Sequence, residues 1–177
     1  GTYEDNSQEI GIRQSGLLGL NVTRKVFVPR TGYFVRYLEK VSNPGADPVT
    51  VDVRITSHLR GYQGSQRVIA SSDGNAQLNV AGTDASDRWV TLDDASDGDP
   101  YWEGTATPVA LVFDGTGAPV RARTGACSNS LTAQYEWRVT IPAGGTVTLM
   151  HFGAQQTSRA AARATAERLE QLPPEAL

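Results

Sequence analysis

The residues best suited to chemistry in this 177-residue chain gather between positions 89 and 102. Asp93, Asp94, Asp97 and Asp99 fall within seven residues, and Gly98 among them permits a sharp turn. Hard cations such as Ca²⁺ take several oxygen ligands from a flexible loop, which makes Asp93, Asp97 and Asp99 the candidate ligands of a structural calcium ion. The spacing departs from the EF-hand pattern, because the third position from Asp93 is Ala95 and the twelfth is not glutamate. The same composition also describes a soluble turn, since Asp and Gly are common turn formers. Tyr101 and Trp102 follow at once, with Trp89 one strand earlier. Aromatic faces beside carboxylates suit a sugar, the rings stacking on pyranose C–H groups while oxygens accept hydroxyls. Trp89 and Trp137 also read as core residues, whereas Tyr101-Trp102 sits in irregular chain where function concentrates.

Other constellations carry less. Cys127, with His58 and His151 as bases, is the one thiol available for nucleophilic chemistry, but Gly125-Ala126-Cys127-Ser128-Asn129 matches no nucleophile signature. A lone cysteine ordinarily packs as a small hydrophobe. The two histidines show neither HxH nor HExxH spacing, and His151 reads as a half-buried strand residue. Gly61-Tyr62-Gln63-Gly64-Ser65 places serine wrongly for a nucleophile elbow. Of the glutamates that could serve a glycosidase, Glu39, Glu103 and Glu136, the first and last read as outward strand residues. Asn21-Val22-Thr23 is a glycosylation sequon inside a strand. Lys25 and Lys40, the only lysines, both read as pointing outward, a poor setting for a Lys–Asn cross-link. No catalytic set assembles, and the chain reads as non-enzymatic.

The elements that must position these residues are mostly strands. Residues 1–9 are polar and read as a loose lead-in. Leu20, Val22, Val26 and Val28 share one parity of a half-buried strand ended by Pro29. The aromatic-rich run YFVRYLEKVSN favours strand, and in the next run Val49, Val51, Val53 and Ile55 alternate with Thr50, Asp52, Arg54 and Thr56. These three are expected to form a meander. Shorter strands are expected at Arg67–Ser71, Ala76–Val80, Asp87–Leu92, Pro108–Phe113 and Val120–Arg123, followed by an irregular TGACSNS stretch. In LTAQYEWRVTIP, Tyr135, Trp137, Val139 and Ile141 share a face, and Pro142-Ala143-Gly144-Gly145 joins it to TVTLMHFGAQQ as an expected hairpin. From residue 157 to 172 the period becomes helical, with Thr157 or Ser158 as N-cap and Pro173-Pro174 as stop. The expected buried stripe is Ala161, Ala164, Thr165, Leu169 and Leu172. Arg159 and Glu170 oppose the helix dipole, so packing must hold this helix.

The sum is an all-β antiparallel sandwich of roughly nine to eleven strands with one C-terminal α-helix, in a single domain spanning 1–177. That length buries enough surface to fold without a staple, and one cysteine rules out an internal disulfide. A net charge of −3 argues against nucleic acid, and no apolar run approaches the ~20 residues of a membrane span. The chain opens on Gly1, as expected of a processed product or a piece of a longer protein.

GLNVTRKVFVPRTGYFVRYLEKVSNPGADPVTVDV resembles the paired strands of β-sandwich modules in large secreted or surface bacterial proteins. WRVTIPAGGTVTLMHF is similar to their closing hairpin. Immunoglobulin-like domains and the larger sandwiches of carbohydrate-active enzymes share such hairpins. The resemblance implies an accessory module of an extracellular or cell-surface protein and carries over no functional residues. The expected function is carbohydrate binding or adhesion. The alternative is a structural spacer or assembly module that packs a neighbouring domain or subunit through its ends and its helix.

Overall fold

The computed structural model describes residues 1–58, 66–76, 87–95, 97, 107–128 and 132–177, without the side chains of 58, 124–128 and 132. Eleven strands, all paired antiparallel, lie in two sheets among these residues. The larger sheet holds β1 (Thr2–Glu4), β2 (Glu9–Leu17), β3 (Leu20–Phe27), β4 (Val35–Ser42), β6 (Arg67–Ser71), β7 (Trp89–Asp93), β8 (Val109–Val112) and β11 (Thr146–Gln155). Its strand order is β1-β2-β3-β4-β11-β8-β7-β6. The smaller sheet is β5-β10-β9, from β5 (Val49–His58), β10 (Thr132–Ile141) and β9 (Arg123–Ser128). One helix, α1 (Arg159–Glu170), lies on the outer face of the larger sheet, and a single 3-10 turn, Pro174–Ala176, follows it.

Alternation builds the core between the sheets. Tyr135, Trp137, Val139 and Ile141 all turn inward from β10, and Val49, Val51, Val53 and Ile55 do so from β5, as the sequence predicts. They meet Val41, Leu149, Leu111, Val90 and Leu92 of the larger sheet. A second apolar layer forms on that sheet's other side, where Trp89, Ala110, Val112, Phe152 and Ala154 receive α1. Strands β7 and β8 are therefore covered on both faces, which explains their short apolar sequences.

Two expected pairings are absent. Strand β4 pairs with β3 and β11, while β5 belongs to the other sheet, so 20–58 is not a meander. Likewise β10 and β11 lie in different sheets, and Pro142–Gly145 is a corner rather than a hairpin turn. The reason is that a turn brings two strands together without deciding whether they pair edge to edge or stack face to face. Stacking buries the alternating apolar faces of β5 and β10 against those of β4 and β11. The two corners are laced together. Asn43 Nδ2 donates to Asp47 O at 2.7 Å and Ile141 O at 3.3 Å, and the Asn43 and Gly144 amides donate to Gly145 O and Gly45 O.

The amino-terminal residues are not a loose lead-in. Thr2–Glu4 pairs with Glu9–Gly11, and the polar composition that suggested a loose end pays for itself in ion pairs. Lys25 Nζ lies 2.6 Å from Glu4 and 2.8 Å from Glu9, and Arg36 also reaches Glu9. The first five residues of the TGACSNS stretch, expected to be irregular, fall within β9.

Helix α1 begins where Ser158 accepts the Ala161 amide at 3.1 Å, one of the two expected caps. Its buried residues are Ala162, Thr165, Ala166 and Leu169, not the expected Ala161 and Ala164. Alanine fills so much of the first two turns that the sequence leaves the facing stripe undetermined. Packing selects the pair that meets Ala110 and Ala154, small side chains that let helix and sheet approach closely. The charges at its two ends are neutralised by the sheet. Arg159 Nε binds Asp93 at 2.7 Å, while Glu170 accepts from Arg88 at 3.2 Å and from the Trp89 indole at 3.1 Å.

Candidate functional site

At one end of the sandwich the two sheets part around an open cavity of about 600 Å³. Strands β3, β4, β5, β8, β10 and β11 line it, together with the β3–β4 connection at Gly32–Phe34. Gly153 makes the space. It occupies an inward position of β11 two residues beyond His151, and its missing side chain leaves room against Leu111 and Tyr37.

The floor is polar. His151 is 2% exposed and Tyr135 3%, yet both are fully engaged. His151 Nε2 lies 3.1 Å from Glu39 Oε1, and Nδ1 lies 2.9 Å from Tyr135 Oη. Arg24 Nε donates to the same Glu39 oxygen at 2.7 Å. The carboxylate only accepts, so Nε2 carries the imidazole proton and Nδ1 accepts from Tyr135 O–H. One directed chain thus runs from β10 through β11 to β4, where Arg24 of β3 closes it.

Electrostatics follow from burial. Desolvation pushes the His151 imidazole below its ordinary value despite the opposing pull of Glu39, so the ring is held neutral. Desolvation also pushes the Tyr135 phenol up. The Tyr37 ring stacks on His151 at 4.8 Å, and its hydroxyl, raised by desolvation, makes no hydrogen bond among the described residues. The Arg24 guanidinium lies 6.0 Å from the centroid of the Tyr37 ring.

Sequence reasoning missed this cluster. Glu39 is buried rather than outward, sharing the inward parity of Tyr37 and Val41, and His151 is fully rather than half buried. A charge in a strand reads as a solvent marker, yet Arg24 and His151 come from two other strands to satisfy it. The parity Tyr37, Glu39, Val41 was the one available signal. Glu136 does face outward, paired with Arg54 at 2.8 Å and Arg123 at 3.0 Å.

The residues singled out from the sequence lie elsewhere. Trp89 is not a binding platform: it is 3% exposed beneath α1, its indole N–H spent on Glu170. Tyr101, Trp102 and Asp99 lie outside the described residues. Asp93 and Asp97 do converge, but on Arg159. Its guanidinium bonds Asp93 and the Asp94 carbonyl, and its amide donates to Asp97 at 2.8 Å. Burial pushes the Asp93 carboxyl up while Arg159 pulls it down. Among the described residues no group of three acidic, histidine or cysteine side chains is placed to hold a metal ion. Cys127 belongs to β9 and His58 ends β5, their side chains beyond the description. Lys25 meets Glu4 and Glu9 rather than an asparagine.

No protein-family model matches the sequence, and no curated protein matches it. The fold is similar to part of GH36 α-galactosidase AgaA from Geobacillus stearothermophilus, at 11% identity and a TM-score of 0.50. That match covers 88% of this chain but 25% of the α-galactosidase, so the chain spans about a quarter of its length. A galactose mutarotase-like protein from Lactobacillus casei matches at 8% identity and a TM-score of 0.44, over 84% of this chain and 69% of that one. At these identities the likeness to the α-galactosidase is one of fold: a two-sheet antiparallel sandwich.

Proposed function

We propose that the chain is a non-catalytic carbohydrate-binding module of an extracellular or cell-surface protein, with its site in the cavity between the sheets. The observation that carries this reading is the cavity itself. At about 600 Å³ it falls within the range of small-ligand sites, and its walls combine aromatic faces with hydroxyl groups. Tyr33, Phe34 and Tyr37 supply apolar surface for the C–H face of a sugar ring. Ser57, Tyr37 and Gln155 supply polar atoms for its hydroxyls. The α-galactosidase is sugar-related by name, which favours the same ligand class. A binding role rather than catalysis fits the imidazole, because both His151 nitrogens are spent on Glu39 and Tyr135. A base with no free lone pair cannot take a proton from a ligand.

The test is a glycan array followed by calorimetry, with Gly153→Leu as the blocked control. A Cβ at Gly153 meets nothing closer than 3.9 Å, so the fold accepts the added side chain while the cavity fills. Binding by the parent and at least tenfold weaker binding by Gly153→Leu is the expected result. Equal binding by both proteins removes the cavity from the reading.

One observation favours the second reading, an assembly module. Tyr3, Ile10, Ile12 and Val28 are exposed on or beside the β1–β2 edge. Register places Ile10 and Ile12 opposite Val26 and Arg24, on the inner face where the larger sheet extends past the smaller one. Contiguous exposed apolar surface marks interaction sites. Sedimentation over a range of concentrations, comparing the parent with Ile10→Lys/Ile12→Lys, checks self-assembly; two indistinguishable monomers would count against it. The apolar face of the helix is already buried on this sheet, which favours the β1–β2 edge over the helix as that surface.

A further inference from the structure

We infer that the cavity takes an acidic saccharide, one bearing a carboxylate such as a uronic acid, and that Arg24 is the residue that selects it. This inference rests on the carbohydrate reading above. Arg24 is the one side chain lining the cavity, among the described residues, that carries charge at neutral pH. No aspartate or glutamate lines it. Glu39 stands behind His151, 4% exposed, and its charge is answered by Arg24 Nε and by the imidazole N–H. That ion pair is neutral as a whole, but the guanidinium is the partner that lines the cavity, while the carboxylate is buried.

The geometry of Arg24 leaves its binding edge unused. Only Nε is engaged, at 2.7 Å to Glu39, and the two terminal nitrogens donate to no described residue. The side chain is 41% exposed and forms part of the cavity lining. A guanidinium presents its donors as a planar fork that matches a carboxylate with two parallel hydrogen bonds. The bond to Glu39 and the contact over Tyr37 hold the fork in place before a ligand arrives, which lowers the entropy lost on binding. The Tyr37 hydroxyl, free of any partner in the described structure, lies in the same lining beside Ser57. A carboxylate on Arg24 with ring hydroxyls on Tyr37 and Ser57 uses every unspent donor of that wall. A neutral sugar leaves the guanidinium edge without a matching anion.

The experiment titrates the full chain with a galacturonate disaccharide, a neutral galactose disaccharide, and acetate as a sugar-free carboxylate. The expected result is at least tenfold tighter binding of the galacturonate disaccharide than of either other probe, weakening as salt is raised. Arg24→Gln is expected to remove the preference. Because that change also takes a partner from Glu39, Arg24→Lys provides the second variant: it keeps the charge and the fold but loses the fork, and a preference cut severalfold is expected. Equal affinity for the acidic and neutral disaccharides would overturn the inference and leave the carbohydrate reading standing. Acetate binding as tightly as the galacturonate disaccharide would show a simple anion site and overturn it too. If a glycan array carrying both acidic and neutral sugars returns no binder, the carbohydrate reading falls and the inference with it.

Discussion

Tyr135 and His151 face each other across the interior, Oη and Nδ1 2.9 Å apart, one on the smaller sheet and one on the larger. Most of what joins the two sheets is non-directional apolar contact. This bond is directional, buried, and continued beyond the imidazole by Glu39 with Arg24. Removing one member therefore strands its neighbour. Tyr135→Phe keeps the ring that stacks on Phe113 but leaves Nδ1 without a donor, and should cost about 1–3 kcal/mol in chemical denaturation.

The same chain sets a pH dependence. The native fold holds His151 neutral, whereas the unfolded chain takes up a proton near the ordinary value of 6.5. Below that point the unfolded state binds a proton the native state refuses, so stability falls as pH falls, by up to about 1.4 kcal/mol per unit. Glu39, Arg24, Tyr37 and Tyr135 surround the ring, and only the first favours its protonation by charge. Asp93 and Asp114, pushed up from 3.8 by burial, act in the opposite sense in their own window: protonating them relieves a buried charge, so stability from these groups falls as pH rises. Denaturation midpoints of the parent and His151→Gln between pH 7 and 5 isolate the imidazole. The parent should lose stability across that range and the variant should lose less; parallel curves would show that His151 is not the titrating group.

Leu169 is the anchor of α1. It is fully buried against the outer face of the larger sheet, beside Trp89 and Ala166. Leu169→Ala should cost about 2–5 kcal/mol, because a rigid sheet cannot close over the space left behind. Thermal melting checks the loss. Removal of residues 157–177 should do more, exposing Phe152, Val112 and Trp89 together, and yield an aggregating sandwich in a sedimentation assay.

Arg159 acts as the cation of the acidic segment. Asp93 is buried and depends on it, while the guanidinium itself remains partly exposed. Arg159→Ala should cost about 2–4 kcal/mol, near the figure for breaking a buried pair but reduced by that exposure. With this cation built into the chain, EDTA and added Ca²⁺ should leave the parent's melting temperature unchanged. A rise of several degrees with Ca²⁺ would show instead that a metal ion shares the site with Arg159.

Alternation and turn chemistry were enough to establish from the sequence an all-β chain with a terminal helix, the inward faces of β5 and β10, and a helix start at Thr157 or Ser158. These are local properties: a period of two residues, a run of alanines, a hydroxyl at a helix start. Pairing is not local. Whether Pro142–Gly145 makes a hairpin or a corner depends on which faces β10 and β11 bury, and those faces belong to strands far away in the chain. The site was hidden for the same reason. Arg24, Glu39, Ser57, Tyr135 and His151 come from five strands, and each alone resembles an ordinary strand residue. Their meaning arises only when the sheets stack, because a charge that would cost free energy in an apolar interior is tolerated once its hydrogen-bonding partners arrive from the opposite strands.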